Sequence, residues 1–118
     1  MATVNKEISC EELKALVENS QTLLLVDVRT KEEVDKGCIP RSIHIPFDTV
    51  EDALTMNPDE FQTKYGATKP TLHAPELVFY CQLGRRGEMA TSKAHKLGYV
   101  NPQNLTGGYK GWSEKNGK

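Results

Sequence analysis

Residues 76–98 read ELVFYCQLGRRGEMATSKAHKLG, an apolar run followed by a polar loop and then a helical pattern. The run 76–80 is short and nearly continuous in apolar residues, which is typical of a strand buried on both faces of a parallel sheet. Apolar residues then recur at helical spacing until Gly98, which can end the helix. The pattern predicts a strand–loop–helix unit with Cys81 at the carboxyl end of the strand.

Similar signals for strands and helices alternate along the rest of the chain. Residues 22–28 form a second buried run, predicted as a central strand, and the capping-box pairs Ser9–Glu12 and Thr30–Glu33 predict helix starts before and after it. The further predicted elements are a brief strand around Ile43 and Ile45, a helix capped by Asn57 and ended by Gly66, a short strand around Asn104 and Leu105, and a last helix holding Trp112.

This alternation predicts the fold class α/β, with an open parallel sheet and helices on both faces in a single domain over residues 1–118. Residues 1–7 are polar and are expected to be a flexible N-terminus. In such sheets, ligands bind outside the carboxyl ends of the strands. Cys81 is therefore predicted to lie where a binding site forms.

Composition and charge argue against several classes of function. The 118 residues suffice for one compact core, and a net charge of -1, from 15 basic and 16 acidic residues, provides no basic footprint for nucleic acid. Apolar runs such as residues 23–26 are far too short to span a membrane. Three cysteines at scattered spacings indicate neither a disulfide framework nor a metal site, and the polar N-terminus lacks a secretory signal. We therefore expect a cytoplasmic protein with free thiols and with no nucleic-acid or membrane partner.

The loop after the predicted strand has the features of an activated thiol. Cys81 comes just before a helix, where unpaired N–H groups and the positive end of the helix dipole favour a thiolate. Arg85 and Arg86 add two positive charges, and Gly84 lets successive amides converge on one point. A cysteine at a strand end can also be a plain core residue, but the cationic loop favours a nucleophile.

The loop and several other motifs resemble those of the rhodanese family. Cys81, Gly84 and Arg86 match its C-x-x-G-x-R persulfide loop. Three further stretches are similar to family landmarks in the same order, namely Asp27-Val28-Arg29 with Glu33, Gly37 to Pro46, and Gly107 to Trp112. Residues 53–70 and 79–87 resemble more closely the small single-domain animal members of the family. The resemblance covers nearly the whole chain.

This resemblance implies a sulfurtransferase that moves sulfane sulfur from thiosulfate to a thiol acceptor such as glutathione or thioredoxin, with no metal or other cofactor. Cys81 would be the catalytic residue and would carry a persulfide. The loop amides would hold its terminal sulfur, and Arg86, at the closing end of the loop, could meet two sulfonate oxygens at once. The substrate-binding residues would be Gln82, Leu83, Gly84, Arg85, Arg86 and Gly87.

Two residues depart from the family pattern, since Cys38 stands at its usual histidine and Arg41 at its usual glycine. These departures bear on the local turn geometry and on accessory contacts of the pocket. Cys10 and Cys38 lack a cationic loop and are interpreted as structural. Arg29 and Glu33 are expected to form a structural ion pair with each other.

Three alternatives remain open. A cysteine phosphatase or arsenate reductase needs five residues between its cysteine and its arginine, but Gly87 stands at that arginine position. A dithiol redox protein needs a second cysteine where Gly84 stands. The third alternative is a non-catalytic binding module, because fold alone does not fix function. Release of sulfite from thiosulfate would separate such a module from an enzyme.

Overall fold

The computed structural model describes residues 6–116 of the chain. The strands are β1 (Lys6–Ile8), β2 (Leu24–Asp27), β3 (Ser42–His44), β4 (Leu77–Tyr80) and β5 (Pro102–Leu105). The helices are α1 (Cys10–Asn19), α2 (Lys31–Asp35), α3 (Val50–Leu54), α4 (Pro58–Tyr65), α5 (Arg85–Lys96) and α6 (Gly108–Asn116), with a 3-10 turn (Phe47–Thr49) before α3. None of these helices combines the length and the apolar character that crossing a membrane requires, as judged over residues 6–116.

The strands of the described range form one sheet in the order β1-β5-β4-β2-β3, and every neighbouring pair runs parallel. β4 lies in the middle, with Val26 of β2 opposite Phe79 on one side and Asn104 of β5 opposite the same residue on the other. Parallel strands need long crossover connections, which carry the intervening helices onto the faces of the sheet. The predicted α/β class is confirmed.

Both faces of the sheet are covered, because successive residues of a strand point to opposite sides. Leu77 and Phe79 of β4 belong to a core that includes buried residues of α3, α4 and α5. Val78 and Tyr80 belong to a second core that includes residues of α1 and α6. Every residue of β4 is therefore buried, which explains its continuous apolar run.

The N-terminal strand corrects one expectation from the sequence. Residues 1–5 of the expected flexible segment lie outside the described range, but Lys6 and Glu7 belong to β1 and pair with β5 at the edge of the sheet. The expectation of flexibility is therefore wrong for Lys6 and Glu7. Both are exposed, and Ile8 is the one buried residue of β1. So short a polar edge strand has no apolar alternation to reveal it.

The helix starts predicted from capping boxes are confirmed. Ser9 and Glu12 form a complete capping box at the start of α1, and Thr30 and Glu33 form another at the start of α2. In each pair the hydroxyl accepts from one backbone amide and the carboxylate accepts from another, so two otherwise unpaired donors of the first turn are satisfied.

The structure shows how Arg41 is accommodated where the family pattern has glycine. Its φ of 73° is the left-handed conformation in which glycine costs least. Its Nη1 group donates to the carbonyl oxygens of Leu16, Val17 and Ser20 at 3.3, 3.0 and 2.7 Å. These carbonyls lie at the end of α1, where intrahelical donors run out. Arg41 thus ties the turn before β3 to the C-terminus of α1.

Candidate active site

Cys81 lies directly after β4, at the carboxyl edge of the sheet where the loop into α5 begins. Its residue surface is 1% exposed, and the Gly84 N–H donates a hydrogen bond to its Sγ at 3.0 Å. Because α5 begins at Arg85, the amides of its first turn have no partners within the helix. The sulfur therefore accepts a hydrogen bond from a backbone amide at the N-terminal end of α5.

The loop turns sharply at Gly84, the N-cap of α5, which has a φ of 120° and a ψ of -19°. A side chain would be strained in this conformation. The turn brings the Gly84 amide back onto the sulfur three residues earlier. Gly87, one turn further, is buried against β4, and a Cβ there would lie 3.2 Å from the Tyr80 Cα. Gly87 therefore acts in the packing of α5 on the sheet, whereas Gly84 shapes the loop.

The start of α6 holds the loop from the opposite side. The Tyr109 amide donates to the Cys81 carbonyl at 2.7 Å, and the Lys110 amide donates to the Gln82 carbonyl at 3.0 Å. This approach requires glycine at residue 108, because a Cβ there would lie 2.5 Å from the Cys81 carbonyl oxygen. The carbonyls of Cys81 and Gln82 are therefore both bound by amides of α6.

Arg29 is a buried residue that contacts the cysteine loop. It is 2% exposed, and its Nε and Nη2 groups donate to the Asp27 carboxylate at 3.0 and 2.6 Å. Its Nη1 donates to the Gln82 Oε1 at 3.1 Å, and Nη2 also donates to the Gly37 carbonyl at 2.7 Å. The Tyr109 ring covers the guanidinium at 4.4 Å. One buried cation thus connects β2, the Gly37 turn, the cysteine loop and α6.

The expected ion pair between Arg29 and Glu33 is wrong. Arg29 turns inward to Asp27, while Glu33 receives two hydrogen bonds from Arg86, at 2.9 Å from Nη1 and 3.0 Å from Nη2. The four-residue spacing suggested a local pair, but Thr30 marks the start of a new helix between the two residues, so no single helix face carries both.

The Glu33–Arg86 pair closes the loop against α2. Hydrogen bonds from Arg86, together with the Thr30 amide, lower the pKa of Glu33 to about 2. The same carboxylate raises the pKa of Arg86, and Cys81 adds to that rise. Arg86 therefore lies within electrostatic range of the sulfur. Both of its terminal nitrogens donate to Glu33, whereas the sequence motif predicts that they bind a sulfonate.

This pair predicts an acid-dependent loss of stability. A carboxylate whose pKa falls from 4.5 to about 2 on folding stabilises the fold above about pH 4.5, and the contribution disappears as pH falls towards 2. Glu33→Gln keeps a capping-box acceptor but removes the charge. We expect its free energy of unfolding, from denaturant titrations, to fall below that of the wild type at pH 7 and to converge with it near pH 2. Glu32→Gln, at an exposed neighbour in the same first turn, is the control, and its difference in unfolding free energy from the wild type should not change with pH in this way. A difference between Glu33→Gln and the wild type that persists at pH 2 would contradict the prediction.

The other two predicted contacts, Leu83 and Arg85, are exposed at the mouth of the loop. Leu83 is 67% exposed. Arg85 is also exposed, and it forms no ion pair with any residue of the described range. Of the two loop arginines, Arg85 is the one whose guanidinium is available to an incoming anion.

The remaining cysteines occupy different surroundings. Cys10 is buried at the start of α1 and faces Gly111 of α6, and burial together with Glu11 raises the pKa of its thiol. Cys38 is exposed and follows the Gly37 turn. Within residues 6–116, no three metal-ligating side chains come together to hold a metal ion.

Three residues that hold the loop were not predicted from the sequence. Asn104 donates from Nδ2 to the Gly84 carbonyl at 3.2 Å, and Tyr109 and Lys110 donate their amides to the loop. The paired glycines before α6 were the available signal for the second contact, since a glycine pair indicates close backbone approach. Nothing in the spacing of Asn104 indicates its contact with the loop.

Comparisons with known proteins identify a family and several relatives. The sequence model of the rhodanese-like domain matches residues 9–115. Human thiosulfate:glutathione sulfurtransferase is 44% identical over 108 residues, covering 92% of this chain and 93% of that protein. The Saccharomyces cerevisiae protein of the same name is 36% identical over 110 residues, covering 92% and 78%. The structure of the human single-domain sulfurtransferase TSTD1 is similar with a TM-score of 0.89 at 42% identity, covering 96% of this chain and 99% of the other.

Proposed function

The chain belongs to the rhodanese-like domain family, and from this membership we propose that it transfers sulfane sulfur from thiosulfate to glutathione through a persulfide on Cys81. The observation that carries the proposal is the Gly84 N–H bound to Cys81 Sγ at 3.0 Å, in a loop that leads directly into the N-terminus of α5. A relative at 44% identity bears the name thiosulfate:glutathione sulfurtransferase, which supports these two substrates.

In the first half-reaction the Cys81 thiolate attacks the outer sulfur of thiosulfate. A new S–S bond forms to Cys81, the bond to the sulfonate sulfur breaks, and its electron pair leaves with sulfite. The persulfide that remains is an anion at its outer sulfur. The Gly84 amide and the first turn of α5 are placed to stabilise that charge. Arg85, exposed and without an ion-pair partner in the described chain, orients the sulfonate.

In the second half-reaction the glutathione thiolate attacks the outer sulfur of the persulfide. The S–S bond to Cys81 breaks, the electron pair returns to Cys81, and glutathione persulfide leaves. Thioredoxin is a second candidate acceptor, because the mouth of the loop is exposed at Leu83. All three cysteines are free, which suits a reducing, cytoplasmic compartment.

Two alternatives gain no support from the site. A phosphatase loop of this kind would require arginine where Gly87 lies, but a Cβ at Gly87 would already meet Asn104 and the backbone of Tyr80. A non-catalytic binding module would have no need of a thiol that accepts a hydrogen bond from a loop amide at the start of a helix.

The test is the release of sulfite from thiosulfate by the purified protein. Without acceptor we expect a burst of about one sulfite per protein, and with glutathione we expect continuous turnover; thioredoxin and cyanide are compared at equal concentration. Aryl phosphate is assayed in parallel and should not be hydrolysed, because the loop is too small for phosphate. Absence of the sulfite burst, or cysteine-dependent phosphatase turnover at a comparable rate, would overturn the proposal.

A further inference from the structure

Asn104 is a buried amide beneath the cysteine loop that the reaction, as described, does not use. It lies on β5 and is 3% exposed. One hydrogen of its Nδ2 group points to the Gly84 carbonyl at 3.2 Å, and the other points to the Glu7 carboxylate, at 3.1 Å from Oε2. Glu7 is held in turn by the Thr106 hydroxyl, which donates to Oε1 at 2.9 Å.

The Asn104 side chain is incompletely satisfied, and this indicates a role other than packing. Its Oδ1 is buried and accepts no hydrogen bond from the residues of the described chain. An apolar side chain at this position would leave no unpaired acceptor, so packing alone does not favour asparagine. The opposite amide orientation would place Oδ1 against two acceptors, the Glu7 carboxylate and the Gly84 carbonyl. Glu7 therefore fixes the direction in which Asn104 donates.

That direction matters because Gly84 carries the amide that contacts the nucleophile. The Gly84 carbonyl accepts from Asn104 and from the Glu88 amide at 2.9 Å, while the Gly84 N–H donates to Cys81 Sγ. Glycine is conformationally permissive, so a glycine turn needs contacts that select one peptide orientation. The Gly84 N–H and carbonyl belong to neighbouring peptide groups joined at the Gly84 Cα, so a contact that holds the carbonyl restricts the position from which the N–H reaches the sulfur.

We propose that Asn104, oriented by Glu7, is a positioning residue for Cys81. By anchoring the Gly84 carbonyl, it keeps the Gly84 N–H directed at the sulfur in both the thiolate and the persulfide. The persulfide part of this inference rests on the proposed function, whereas the thiolate part is tested without any sulfur donor.

The test is the pH profile of Cys81 alkylation by iodoacetamide, followed by peptide mass analysis so that Cys10 and Cys38 are counted separately. Asn104→Leu removes the donor at similar volume. We expect its rate at pH 7, relative to its own plateau at high pH, to fall about three- to tenfold, which is the worth of one hydrogen bond. The alkylation rate at the high-pH plateau should not fall, because the substitution removes a donor that stabilises the thiolate and does not block the reagent from reaching it.

Glu7→Ala provides a second variant, because Glu7 is exposed and its loss leaves the β1 backbone pairing intact. We expect a shift in the same direction but smaller. Lys6→Ala is the matched control, since it removes an exposed β1 side chain that bonds Asn101 rather than Asn104; it should keep the wild-type profile.

A wild-type profile in Asn104→Leu overturns the inference, and if that variant does not fold, a wild-type profile in Glu7→Ala overturns it instead. A protein that shows the shifted profile but releases no sulfite from thiosulfate would refute the proposed function and leave the positioning role intact. The two failures are therefore distinguishable.

Discussion

Replacing Cys81 with serine should abolish both the sulfur adduct formed by thiosulfate and the turnover with glutathione. Thiosulfate without acceptor should make the wild-type protein heavier by one sulfur atom, located on the peptide that contains Cys81. A serine hydroxyl is not ionised at neutral pH, and its oxygen cannot form an S–S bond, so no persulfide forms. Intact-mass measurement and sulfite release should therefore fall to background together.

Cys10→Ser and Cys38→Ser are the matched controls. Cys10 is buried with a raised pKa, and Cys38 is exposed but lies outside the loop. Each variant should keep the adduct and most of the turnover. Finding the added sulfur on either of these residues in the wild type would show that the wrong cysteine has been assigned as the nucleophile.

The second large effect is expected at Arg85. Its guanidinium is exposed and unpaired within the described chain, so Arg85→Ala should lower kcat/KM for thiosulfate and leave the reaction of the persulfide with glutathione nearly unchanged. A charge-assisted hydrogen bond is worth about 1.5–3 kcal/mol, which corresponds to roughly a ten- to hundredfold loss. Steady-state and single-turnover kinetics with each substrate measure the two half-reactions separately. Arg85→Lys should recover only part, because it restores charge without the planar fork.

Arg86 is the matched comparison, because the structure commits it to Glu33. If Arg86 acts by closing the loop through Glu33, then Arg86→Ala and Glu33→Gln should impair both half-reactions to similar extents. The double variant should then be no worse than Arg86→Ala alone. A loss confined to the thiosulfate reaction in Arg86→Ala, with no loss in Glu33→Gln, would instead indicate that Arg86 binds the sulfonate.

The architecture and the position of Cys81 at a strand end could be predicted because both depend on local sequence. The run 77–80 is apolar because β4 is buried on both faces, and Cys81 follows it where a parallel sheet places its ligands. The capping boxes at Ser9 and Thr30 were equally local, since cap and partner are three residues apart. Each of these features depends on neighbours in sequence.

The features that were missed depend on distant partners. Arg86 meets Glu33 across 53 residues, and Asn104 meets Glu7 across 97. No spacing rule connects such positions, because only the order of strands in the sheet brings them together. The motif identified the loop that follows Cys81, but the partner of each guanidinium depended on the tertiary structure. β1 also pairs with a distant partner, since β5 is the last strand in the described part of the chain.

During synthesis, Cys81 leaves the ribosome well before the residues that shape its surroundings. Its carbonyl and that of Gln82 are bound by the amides of Tyr109 and Lys110, and the anchor of Gly84 lies on β5. Chains grow at roughly 5–20 residues per second, so for some seconds the nascent protein carries this cysteine without the contacts that hold its loop. The loop takes its final geometry only after β5 and the start of α6 have been synthesised.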